Sequence, residues 1–174
     1  GTARTLTPFN LSLKAQIGRL QFDTAMFRDV NGTIKVDQDR LTIAGLRFAN
    51  EDGLAMEVGG DVATLVEGPQ GVLAGVVAAP NQAALDGLAQ LLDLPSDLRL
   101  SPARAAKVVP LRLAYRMGIG SRKRDTWDIA LDGTAAGTRT LVAAKLDDVR
   151  QRLRSAKADI AVELSGSNAG SILG

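Results

Sequence analysis

Val109, Leu111, Leu113, Tyr115, Met117 and Ile119 occupy every second position of one run, and Pro110, Arg112, Ala114, Arg116 and Gly118 fill the places between. An extended strand turns successive side chains to opposite faces, so alternation of this strictness predicts a strand with one apolar and one solvated face. A helix built on the same residues would scatter the apolar set around its whole circumference. The same period recurs along most of the chain and commits the fold to an antiparallel sheet.

The first half shows how such strands follow one another. Leu11, Leu13, Ala15 and Ile17 alternate with Ser12, Lys14, Gln16 and Gly18. The phase then slips at Arg19 before Leu20 and Phe22 resume it, and a bulge near Gly18 is expected to absorb the extra residue. Asn31-Gly32 reads as a hairpin turn, Asp37 to Arg40 as a second polar turn and Asn50 to Gly53 as a third. Between and beyond them Thr33 to Val36, then Leu41, Ile43, Leu46 and Phe48, then Leu54, Met56 and Val58 complete a four-stranded meander. Gly71 to Ala79 is apolar on both faces, as expected of a strand covered on its second side. The cover follows at once. A helix is predicted over 81–94, with Asn81 as its N-cap, Leu85, Leu88, Leu91 and Leu92 at helical spacing and Pro95 as its stop.

Residues 94–106 read as a connection containing Pro and Arg, after which the grammar repeats. The strand of Leu111 to Ile119 leads to a charged hairpin tip at 121–125, and Trp127, Ile129 and Leu131 return from it. Further strands are expected at 138–146 and 158–164, and 147–157 is open between a helical turn and a loop. A displacement of 87 positions sets Asn81 over Asn168, Leu54 over Leu141, Val62 over Val149, Val77 over Leu164 and Leu85 over Ile172. Two similar units are therefore expected, 1–106 and 107–174, joined as one continuous repeat domain whose second copy ends where its helix would begin. Since Ile172-Leu173-Gly174 stops in mid-pattern, the chain is expected to be a segment of a longer protein.

Composition narrows the chemistry. The chain has no Cys and no His, which removes thiol nucleophiles, imidazole acid–base catalysis and Cys/His zinc sites. The acidic pairs Asp37/Asp39, Glu51/Asp52 and Asp147/Asp148 lie in or beside turns, without the spacing or closing Glu of a calcium loop. Exposed turn carboxylates also lack the burial that would tune them for acid–base work. No enzyme activity, metal or cofactor is expected. A net charge of +2, from 21 basic and 19 acidic residues, is far from the one-sided excess of a nucleic-acid binder. Aromatics amount to 3%, leaving few platforms on which bases or sugars stack.

Four stretches carry a resemblance. The run RDVNGTIKVDQDRLTIAGLRFANEDGLAMEVGGDV (28–62) has the cadence of strand, turn, L-x-I-x-x-L, small-residue turn, strand and Gly-x-Val. VVAAPNQAALDGLAQLLDLP places a short helix after an apolar strand, and LDGTAAGTRTLVAAKLDDV with ADIAVELSGSNAGSILG reads as the next strand pair and helix start. From about Asn10 onward the chain resembles the AsmA-like family of bacterial envelope proteins, most closely its C-terminal region, and more distantly TamB-type repeating β-groove proteins. The charged stretches Arg122 to Arg124 and Arg150 to Arg154 depart from the family pattern.

The resemblance implies a mainly β fold with short helices: a curved antiparallel sheet of tandem strand–helix repeats forming a groove or half-barrel. It implies a periplasmic protein of Gram-negative bacteria, anchored in the inner membrane by a helix outside this segment and contributing to phospholipid transport or outer-membrane integrity. The partners implied are lipid acyl chains and neighbouring repeats, with no nucleic acid. Candidates for the acyl-chain groove are Leu11, Leu13, Ile43, Met56, Leu111, Leu113 and Ile129, for which a packed protein core is the plainer alternative. Arg122, Lys123, Arg124 and Trp127 are candidates for contact with lipid headgroups, since cations and amphipathic rings collect at that boundary. A solvated hairpin tip is the alternative there. A structural scaffold that pairs through its strand edges competes with the lipid reading as a whole.

Overall fold

Alternating strands joined by short turns leave each strand hydrogen-bonded to its neighbour in sequence. The computed structural model, which describes residues 10–22, 25–65, 68–92, 99–120, 125–147 and 157–165, has that topology throughout. One sheet takes nine strands among the described residues in the order β1 to β9, every neighbouring pair antiparallel. The strands are β1 (Asn10–Phe22), β2 (Ala25–Asp37), β3 (Arg40–Asn50), β4 (Ala55–Ala63), β5 (Gln70–Ala79), β6 (Leu111–Ile119), β7 (Trp127–Ala135), β8 (Thr138–Asp147) and β9 (Lys157–Ser165). Two helices, α1 (Gln82–Leu91) and α2 (Pro102–Val108), interrupt the meander between β5 and β6. The sheet is curved and does not close.

Among the described residues the chain leaves the sheet in the connection from β5 to β6, and its physics is local. Asn81 adopts an extended conformation (φ −148°, ψ 175°), and its side-chain oxygen accepts a hydrogen bond from the Ala84 amide at 2.9 Å. Its Nδ2 donates to the Asp52 carbonyl at 3.1 Å, so one side chain both caps α1 and ties it to the turn before β4. The cap bond alone is worth about 1 kcal/mol. Asn50 completes the joint by accepting from the Leu54 amide at 2.9 Å. The hydrophobic core forms where α1 lies on the sheet: Leu54, Val77, Ala79, Ala84 and Leu113 are buried together, with Met56, Leu85, Leu88, Leu111 and Leu131 packed against them. Leu91 and Leu92 stay exposed at the end of the helix.

Three expectations are corrected. Asn31-Gly32 is not a turn. Both residues lie inside β2, and the joint between β1 and β2 falls at 23–24, outside the described residues. Gly32 is needed for a different reason: a Cβ there would stand 2.5 Å from the Cα of Leu46 on β3. The phase slip near Gly18 inserts no extra residue between β1 and β2, whose register runs on from Ile17↔Val30 to Arg19↔Arg28. The slip is matched by Asp29 opposite, at φ 54°, and the register shifts appear one and two strands away, between Arg28 and Asn31 and between Ile43 and Leu46. Gly45, at φ 58°, supplies the left-handed residue that the last of these requires. Finally, 94–106 is more than a connection, because Pro102 opens α2 at its first turn and Ala105 is buried.

Displaced by 87 positions, β3 falls on 127–137 and β5 on 157–166, close to the bounds of β7 and β9. β4 falls on 142–150, overlapping β8, and the counterpart of α1 falls at 169–178, reaching past residues that are described. β5 and β6 are paired along their length, so the sheet continues across the boundary at 106–107.

Candidate functional site

Residues paired directly across antiparallel strands share a face, so the register assigns every side chain to one side of the sheet or the other. From β5 outward, the pairs Val77↔Leu113, Leu73↔Met117 and Gly71↔Ile119 lie on one face. So do Tyr115↔Leu131 and Met117↔Ile129, then Leu131↔Val142 and Val142↔Val162. In the other direction the same face takes Met56↔Val77, Phe48↔Met56, Ile43↔Gly60, Ile34↔Ile43 and Leu13↔Ile34. Leu11, Leu13, Ile43, Met56, Leu111, Leu113 and Ile129 all belong to this one surface, and Trp127 joins it opposite Ile119 and Leu146. Phe27 and Phe48 meet edge to face on it at 5.3 Å. The Arg122-Lys123-Arg124 tip lies outside the described residues.

The apolar face is not evenly covered. Beneath α1 it is a packed core, with Leu113 and Val77 buried. Toward both sheet edges it opens: Leu11, Leu13, Ile17 and Leu20 on β1 and Ile160 and Val162 on β9 are exposed. Of the seven groove candidates, then, Leu113 is core, Met56 and Leu111 pack against it, Ile43 and Ile129 are half-buried and Leu11 and Leu13 are exposed.

The opposite face is solvated. Arg47 meets Glu57 at 3.0 Å, Arg139 approaches Asp132 at 3.6 Å, and the Thr42 hydroxyl donates to the Asp61 carboxylate at 2.6 Å. Between these charges stand small residues, and there the sheet is dented. One depression of about 490 Å³ is lined in part by Ala114, Arg116, Ala130, Asp132, Ala143 and Glu163. Another, of about 320 Å³, lies among Asn31, Arg47, Glu57, Ala78 and Arg112. Alternation identifies the polar side but says nothing of hollows in it, because these arise from side-chain size and sheet curvature together.

One polar group crosses the apolar face in a way that sequence reasoning missed. The Tyr115 hydroxyl donates to the Glu57 carbonyl at 3.0 Å, reaching from β6 over β5 to β4. It passes over Gly75, its register partner, where a Cβ would collide with the Glu57 carbonyl and stand 2.8 Å from the Tyr115 oxygen. A Tyr opposite a Gly in paired strands was the available signal. Burial, and secondarily the charge of Glu57, raises the phenol above its ordinary pKa of 10.0. The neutral phenol is thus the form the fold favours. Its contribution to stability is complete below the unfolded-state value and disappears as pH climbs through the raised folded-state value. Tyr115→Phe should lower stability by about 1 kcal/mol at neutral pH. Chemical denaturation across the alkaline range should show the wild-type advantage shrinking above about pH 10; an advantage that stays constant there would contradict this assignment.

Among the described residues no group of three or more acidic side chains is placed to hold a metal ion, and no helix is long and apolar enough to cross a membrane. The chain matches no family model, no curated protein and no solved structure. What the site offers is therefore read from its own surface: a wide apolar face, covered at its centre and open at its flanks.

Proposed function

We propose that this chain is a non-catalytic module of AsmA type that handles lipid acyl chains on the apolar face of its sheet, within a periplasmic protein whose membrane anchor lies elsewhere. The observation that carries the reading is the register, which gathers Leu11, Leu13, Ile43, Met56, Leu111, Leu113 and Ile129 onto one surface whose side chains on β1 and β9 are exposed. Apolar burial is non-directional, so an acyl chain needs width and continuity there but no dedicated polar partner. Each methylene withdrawn from water gains about 0.8 kcal/mol. About ten of them gain on the order of 8 kcal/mol before the entropic cost of association is subtracted.

In this reading the strands β2 to β5 and β6 to β9 are successive copies of one unit, with neighbouring repeats as the other partner. A unit of four strands is even, so each copy begins in the same direction as the last and keeps its apolar face on the same side. Repetition then lengthens the face without a break. Trp127, at the end of the face and three residues after Arg124 in the sequence, is with Arg122, Lys123 and Arg124 the proposed boundary with lipid headgroups.

The test is mass spectrometry of the gently purified chain, sprayed under native conditions and then extracted with organic solvent. Phospholipid or fatty acid bound in near-stoichiometric amount is the expected result. Protein that is repeatedly empty, and stays empty after incubation with short-chain phospholipid, rules the reading out.

A further inference from the structure

We propose that two copies of this chain associate edge to edge through β1, around a two-fold axis normal to the sheet. The inference is independent of the lipid reading and starts from where apolar side chains are left in water. Leu13 is 52% exposed, and Leu11, Ile17 and Leu20 on the same strand are exposed with it. A sheet edge is ordinarily protected by inward-pointing charges, by Pro or by extreme shortness. β1 is 13 residues long, has no Pro, and carries Leu11, Leu13, Ala15 and Ile17 at its inward positions.

Strand parity then selects the partner. Nine is odd, so β1 and β9 run in the same direction. Joining β9 of one copy to β1 of the next with both apolar faces on one side would make a parallel pair, and making that pair antiparallel would turn the second apolar face to the other side. Only like pairing, β1 with β1 or β9 with β9, preserves both the antiparallel ladder and a single continuous face.

The sequence of β1 fits such pairing. With Leu13 opposite its own copy, Leu11 faces Ala15, Ser12 faces Lys14 and Asn10 faces Gln16, so apolar meets apolar and no like charges oppose one another. The β9 edge is the shorter of the two, nine residues against 13, and serves as the control edge. Pairing through β1 would double the width of the apolar face.

The full chain should sediment at twice its monomer mass at micromolar concentration. Leu13→Lys sets two ammonium groups against each other at the axis and should weaken the dimer by at least about tenfold, with circular dichroism unchanged. Ile160→Lys, at the other edge, should leave it intact. The chain has no cysteine of its own, so Leu13→Cys should form an intermolecular disulfide on mild oxidation, and Leu11→Cys, which faces Ala15, should form far less. A monomeric wild type overturns the proposal, as does a dimer that Leu13→Lys leaves intact or that Ile160→Lys dissolves. None of these outcomes depends on whether lipid binds.

Discussion

Leu54→Ala is expected to cost about 3 kcal/mol of stability, and Leu13→Ala less than about 1 kcal/mol, although both remove the same atoms. Leu54 is 1% exposed and sits between the sheet and α1, against Val77, Ala79, Ala84 and Leu113. Its truncation loses transfer free energy and leaves a cavity that α1, held by the Asn81 cap, is poorly placed to fill. Within the single chain Leu13 already faces water, so its loss forfeits little burial there and opens no void. In a domain of this length the difference amounts to a fall in Tm of about 6–12 °C for Leu54→Ala and a barely measurable one for Leu13→Ala. Differential scanning calorimetry of the two variants separates the packed part of the apolar face from its open flank. Equal losses would mean that the flank is as well covered as the centre.

Gly75→Val is expected to be comparably damaging, against the direction that strand propensity alone would predict. Propensity favours Val over Gly in a strand by up to about 1 kcal/mol. At Gly75, however, the first added carbon collides with the Glu57 carbonyl of the neighbouring backbone and presses on the Tyr115 hydroxyl. Backbone cannot step aside cheaply in the middle of a sheet, so the strain of overpacking, about 3 kcal/mol, outweighs the gain. The phenol would also lose its seat over β5 and its bond to Glu57. Gly18→Val is the control, because nothing lies within 4 Å of a Cβ there and the same substitution should be neutral or mildly stabilising. Urea titration of the two variants reads the contrast directly; a harmless Gly75→Val would mean that β4 and β5 do not approach as closely as described.

These glycines also show where sequence reading succeeds and where it stops. The alternation of Leu111, Leu113, Tyr115, Met117 and Ile119 translates into one face without loss, because pleating is a local property of the strand. The Asn81 cap and the helix after it were legible for the same reason, since side chain and amide are three residues apart. Asn31-Gly32 misled because glycine serves two ends that look alike in sequence. It permits a tight turn, and it also permits a neighbouring strand to come close, as Leu46 does at Gly32. Which applies is decided by residues on β3, outside any local window. α2 was hidden by its brevity and by Pro102, which reads as a breaker until it is seen to occupy the first turn.

The candidate face was legible as a set of residues but not as a graded surface. Nothing in the alternation distinguishes Leu113, buried under α1, from Leu11, open to water, because that depends on where a helix from the β5–β6 connection comes to rest. Nor does it reveal that the depressions lie on the opposite side, among Ala130, Ala143 and their charged neighbours. Those hollows give the polar face a competing claim on any ligand, and side-chain phase is what separates the two claims.

That phase can be measured. Single cysteines placed in turn at Ile129, Ala130, Leu131 and Asp132 of β7, each labelled with a polarity-sensitive fluorophore, report on both faces of one strand. On addition of a short-chain phospholipid below its micellar concentration, emission should shift to the blue at 129 and 131 and stay unchanged at 130 and 132. A shift of equal size at all four positions, or one confined to 130 and 132, would contradict the assignment of the lipid to the apolar face.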